Sequence, residues 1–166
     1  MTAPLPTDES FADRIYNQVC FACGDQNGHG LHMRFERDGE NAVRCTYVPK
    51  PEDQGFPGVL HGGIVAALLD ESMAWAMWAW DRALGVTAKM ETRYRRSATL
   101  DGPLVVRARV ESVRGRRVEV RAHIEDAQSV TLAEATAVFM RFTPEEELRV
   151  SVEMGRTPPA DAPAEG

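Results

Sequence analysis

Lysine is almost absent from this chain: Lys50 and Lys89 are the only two among 19 basic residues, and arginine supplies the rest. Positive charge does not prevail either. The formal net charge is −6 at pH 7, which argues against non-specific binding to nucleic acid. The arginine bias fits the codon usage of a GC-rich bacterium and carries little functional weight alone, although a guanidinium suits two-pronged phosphate contacts. Cysteine is scarce. Cys20, Cys23 and Cys45 make an odd number in a chain without a secretion signal, which argues for reduced thiols rather than a disulfide framework. The opening MTAPLPTDES has neither the basic region nor the apolar core of a signal peptide. The longest apolar stretch, residues 64–80, is short for a membrane span and holds Asp70, Glu71 and Ser72 at its centre, where charge costs most. The expectation is a soluble, cytoplasmic protein without membrane or nucleic-acid partners.

What is present suits one domain with a proper core: 166 residues, 43% hydrophobic and 27% charged, with no internal repeat. Residues 1–17 read as an N-terminal segment, partly helical, because DESFADRIYNQ (8–18) sets Phe11, Ile15 and Tyr16 on one face. A turn-rich loop, CGDQNGHG (23–30), precedes two alternating stretches, LHMRFER (31–37) and VRCTY (43–47), with RDGEN as the hairpin turn between them. After a proline- and glycine-rich loop, residues 62–81 form the only long helix candidate. It is apolar nearly all round, so other structure should wrap it. Four strands follow, at 86–95, 105–113, 117–125 and 132–142, with a hairpin turn at Arg114–Gly115. The expected domain runs over 18–145, and 146–166 reads as a tail, disordered from about 155. One long central helix wrapped by an antiparallel sheet of about six strands is an α+β arrangement.

The stretch GVLHGGIVAALLDE (58–71) raises the functional question. It puts two adjacent carboxylates inside the most hydrophobic segment, and a buried carboxylate costs several kcal/mol unless it is paired, hydrogen-bonded or protonated. HGGIVAALLDE, the following GVTAKMETRYRR, and the opening CFACGDQNGHGL (20–31) together resemble the hotdog-fold acyl-CoA thioesterases of the phenylacetate-degradation type. Gly28 stands where that opening usually carries proline. The resemblance covers roughly residues 18–142. It implies Asp70, nine positions after His61, as catalytic acid, acting as general base or nucleophile. It also implies Gly62, with Gly63 beside it, as backbone donors to the thioester oxygen. Thr87 would help hold the attacking water, and Gln54 is the nearest match to an amide that some members place before the HGG.

The chemistry asks for these types of group. Unpaired N–H groups at a helix start can hold a developing oxyanion, and glycine lets a ligand approach that backbone closely. Eight residues separate Gly62 from Asp70, about 12 Å along a helix, whereas both groups must reach the same reacting atoms. Two antiparallel helices from two subunits solve this, so the spacing implies a homodimer with shared sites, as the resemblance also does, with pairing into a dimer of dimers left open.

Other readings compete at single residues. His61 precedes the helix and reads as a loop-holding or substrate-side residue rather than a base. Glu71 reads as structural, a salt-bridge partner. Cys20, Cys23, His29 and His32 have a CxxC–HxxH spacing tighter than a zinc finger's, so packing is the favoured role and no metal or cofactor is expected. Trp75, Trp78 and Trp80 lie on more than one helical face, so most are core, with room for some to line an acyl pocket. Arg95 and Arg96 are candidates for CoA phosphates. The alternative function is a non-catalytic acyl-CoA-binding hotdog protein. The dehydratases of the same fold need a histidine paired with an acid across the site, which matches nothing here.

Overall fold

The computed structural model describes residues 18–154; the expected 8–18 helix and the tail beyond residue 154 fall almost wholly outside them. Six strands form one antiparallel sheet: β1 (Phe35–Arg37), β2 (Ala42–Tyr47), β3 (Gly85–Tyr94), β4 (Leu104–Arg114), β5 (Arg117–Glu125) and β6 (Thr131–Arg141). Their order across the sheet is β1-β2-β4-β5-β6-β3. The long helix α1 (Gly62–Asp81) packs against every strand, as expected of a helix with no polar side. A shorter helix, α2 (Pro144–Glu153), follows β6. The fold is a hotdog.

Alternation builds the core. Val43, Cys45 and Tyr47 of β2, Val106, Ala108 and Val110 of β4, Val118, Val120 and Ile124 of β5, and Ala137 and Phe139 of β6 are all buried. Opposite them Leu68, Leu69, Met73, Ala76 and Met77 of α1 are fully or almost fully enclosed. A row of alanines crosses three paired strands, Ala108 to Ala122 to Ala135, leaving room for the bulky helix. Register shifts in β3 and β4 add twist and help the sheet curl round α1.

Two departures from the sequence reading have clear causes. The stretch expected as a strand at 31–37 is strand only from Phe35. The Leu31 and Met33 N–H groups are taken by the Phe21 and Ala22 carbonyls of the preceding loop, at 2.8 and 2.9 Å, and His32 adopts a left-handed conformation at φ 53°. The turn joining β4 to β5 lies at Gly115–Arg116, one residue later than read, with Gly115 at φ +58°, the glycine-first geometry of a two-residue hairpin loop. α2 was not anticipated. Its signal lies in TPEEE, where Thr143 and Glu146 form a reciprocal capping box and Pro144 occupies the first turn.

Candidate active site

The start of α1 is held from the loop before it. Asp53 is buried at the turn Pro51–Asp53; its carboxylate accepts from the Tyr47 hydroxyl at 2.5 Å and from the Lys50 N–H at 2.7 Å. Its carbonyl then accepts the His61 N–H at 2.8 Å. His61 is the N-cap, its Nδ1 accepting the Gly63 N–H at 2.9 Å, which leaves the ring proton on Nε2. Gly63 thereby has its donor occupied. Gly62 is exposed, and its N–H meets no acceptor among the described residues. It therefore presents one free donor at the positive end of a 20-residue helix. The Tyr94 hydroxyl donates to the Gly62 carbonyl at 2.9 Å and ties β3 to this point.

A cleft of about 480 Å³ opens beside Gly62, lined by Phe56, His61, Tyr94, Arg95 and Arg96 among others. Arg95 is bonded to Glu134 at 2.5 Å, while Arg96 shares the same wall. Gln54 lies just outside, its Oε1 accepting the Gly58 N–H at 2.7 Å; its carbonyl side is thus spent on shaping the loop, where Gly58 takes φ +73°.

Asp70 lies two helical turns further on. It is half-buried, and its Oδ1 accepts from the Thr87 hydroxyl at 2.7 Å. A register shift between Thr87 and Lys89 breaks the alternation of β3 here. Bulges of this kind re-aim side chains beside functional sites, and this one explains the imperfect pattern of VTAKMETRYR. The fold thus joins Asp70 to Thr87, and Gly62 to His61, Tyr94 and the two arginines. It does not join the two groups: neither Asp70 nor Thr87 lines the cleft.

The acid that burial disturbs is Glu71. Desolvation first, then the neighbouring Cys20, push its carboxyl up to about 7. The expected salt bridge to Glu71 does not form among the described residues. It accepts instead from the Trp75 indole at 3.1 Å and faces the Cys20 sulfur at 3.9 Å. No tryptophan lines the cleft. Trp75 is buried and stacks on Phe35 with centroids 4.9 Å apart, Trp78 is buried beneath the Arg82 guanidinium at 5.0 Å, and Trp80 faces outward. No described helix is long and apolar enough to cross a membrane.

Comparison with known proteins agrees with the fold. The family model of the thioesterase superfamily matches residues 57–133, the segment from the loop before α1 to the start of β6. The bovine acyl-coenzyme A thioesterase THEM4 is 26% identical over 135 residues, covering 80% of this chain and 55% of that protein. The chain thus spans about half the length of the curated relatives it matches. Among solved structures, the thioesterase superfamily protein RHA08564 superposes with a TM-score of 0.66 at 30% identity, covering 72% of this chain and 61% of that one. The Streptococcus mutans protein smu.793, solved with acetyl CoA bound, has the same fold at 17% identity, with a TM-score of 0.62 and coverage of 66% of this chain and 88% of that one.

Proposed function

Because the chain has the hotdog fold and its residues 57–133 match the thioesterase superfamily, we propose that it belongs to that superfamily and hydrolyses an acyl-CoA thioester to the free carboxylic acid and CoA. The observation that carries this is the Asp70–Thr87 pair at 2.7 Å together with a free Gly62 N–H at the start of the same helix. Asp70 activates a water, or attacks the carbonyl itself to form a mixed anhydride that water then hydrolyses. The carbon–sulfur bond breaks, CoA leaves as a thiolate that takes up a proton, and the carbonyl oxygen's transient charge rests on the Gly62 N–H. Thr87 aims the carboxylate and can hold the water. Arg96, with Arg95, faces the phosphates of CoA across the cleft. A CoA ester substrate and reduced thiols fit a cytoplasmic setting.

Two protomers are needed, on this reading, for one complete site. Asp70 and Gly62 lie eight residues apart on one helix, roughly 12 Å, and only a second, antiparallel copy brings one to the other. Strand β3 supports such pairing. It is the outer strand of the sheet, ten residues long and without one buried residue, and it carries exposed Val86 and Tyr94. A long open edge of this kind is a ready surface for a second chain.

The test is CoA release, read with a thiol-reactive dye, from aryl-, short- and medium-chain acyl-CoAs. Asp70→Asn should lower turnover by about a hundredfold or more with fold and assembly unchanged, and Thr87→Val should lower it by about tenfold, the worth of one hydrogen bond to a charged group. Unchanged turnover in Asp70→Asn removes Asp70 as catalyst. Tight acyl-CoA binding by the wild type without any turnover replaces the enzyme by a binding protein.

A further inference from the structure

Behind the catalytic face, on the side of α1 turned toward the N-terminal loop, three metal-ligating groups converge that hydrolysis does not use. Sulfurs of Cys20 and Cys23 and a carboxylate oxygen of Glu71 all lie within 4.8 Å of one another. The loop is built to gather them. The Cys23 thiol and the backbone N–H groups of Ala22, Cys23 and Gly24 all turn toward the Cys20 sulfur. The turn closes through the Gly24 N–H on the Cys20 carbonyl at 2.9 Å. A side chain at position 24 has no space, since a Cβ there would stand 2.3 Å from the Gln18 carbonyl oxygen. Glu71 arrives from the helix, with its other contact the Trp75 indole.

A packing role explains this badly. Cys23 is buried and Cys20 and Glu71 are half-buried, so three electron-rich groups crowd together with little water, in conflict with one another. Apolar side chains would fill the same space without that conflict. A divalent cation removes it. A tetrahedral zinc ion with bonds of about 2.3 Å to sulfur and about 2.0 Å to oxygen holds S and O roughly 3.5 Å apart, and Cys20 Sγ stands 3.9 Å from Glu71 Oε1.

We infer that Cys20, Cys23 and Glu71 bind one thiophilic divalent metal ion, zinc by its donor set, with the fourth position open to water or another small ligand. The two sulfurs and single oxygen exclude magnesium and calcium, which take oxygen ligands. His29 and His32, whose spacing points to zinc in the sequence, stand outside the cluster; the acid comes instead from 48 positions downstream of Cys23, across the fold. The ion clips residues 18–31 to the middle of α1, next to but not within the catalytic pair.

The experiment uses the untagged, reduced full chain, stripped with a chelator and titrated with Co²⁺ alone. One equivalent should bind with thiolate-to-cobalt charge-transfer absorption, and Zn²⁺ should displace it and raise the melting temperature. Cys20→Ser and Cys23→Ser should each abolish the band, Cys45→Ser should keep it, and Glu71→Gln should weaken affinity by at least the roughly tenfold that even a supporting group is worth at a metal site. Absence of the band in the wild type overturns the assignment without reference to any variant. So does a band that survives in both Cys20→Ser and Cys23→Ser, or a Cys20–Cys23 disulfide that forms in air as fast with excess zinc as without it.

Discussion

At the scale of single residues, the small contacts around Asp53 decide whether the start of α1 is in place. Tyr47 and Lys50 hold the Asp53 carboxylate, and Asp53 holds the His61 backbone, so the free Gly62 N–H one residue on inherits its position from a buried tyrosine on β2. Tyr47→Phe keeps the ring and removes only the hydroxyl. It should cost about 1.5–3 kcal/mol, because it leaves a buried charged acceptor one hydrogen bond short, and urea unfolding measures that directly. A loss under about 0.5 kcal/mol would mean that water replaces the hydroxyl. None of this chain was legible in the sequence, where Tyr47 reads as one more apolar strand residue and Asp53 as a loop acid. Asp70 and Thr87, by contrast, are picked out by the family resemblance of HGGIVAALLDE and GVTAKM, and the fold brings the two together. What spacing does not reveal is which of two neighbouring acids loses its water. One step of about 100° round the helix decides this: Asp70 faces the hydroxyl of β3, whereas Glu71 turns toward two sulfurs and an indole.

At the scale of elements, α1 was legible at both ends. Its Gly62 and Asp81 bounds follow from two glycines after a capping histidine and from the end of the apolar run. Strands that alternate cleanly, β4 and β5, were equally plain. Strand β3 was blurred because its bulge shifts the side-chain phase at Thr87, and β1 read too long because loop carbonyls claim backbone donors that alternation alone assigns to a strand. Helix α2 escaped for a different reason. It has few apolar residues and buries Ser151 alone of its side chains among the described ones, so periodicity gives little sign of it and only its cap does. That makes the cap its main support. Thr143→Ala should therefore cost about 1 kcal/mol locally, seen as faster amide hydrogen exchange within 144–153 and little change in global melting. Unaltered exchange there would show that tertiary contacts, rather than the capping box, hold the helix.

At the scale of the whole molecule, a shared site makes a prediction that a single-chain site cannot meet. Gly62 is the first residue of α1, where proline is tolerated because it lacks only an N–H that the helix does not use. Gly62→Pro therefore deletes the proposed oxyanion donor while preserving the helix, and it should lower turnover by about a hundredfold or more. Asp70→Asn disables the other half. Alone, each variant leaves every site in the dimer defective. Co-expressed in equal amounts with free reassortment, they form about half mixed dimers, in which one site carries both lesions and the other carries neither. Activity per chain should then rise to about a quarter of wild type from parents near zero. The logic needs no knowledge of the acyl group, only one hydrolysed substrate. If the mixture shows no more than the average of its parents, although mixed dimers are present by mass spectrometry, Asp70 and Gly62 serve the same site from the same chain. The helix between them would then have to bend by far more than the unbroken run from Gly62 to Asp81 permits.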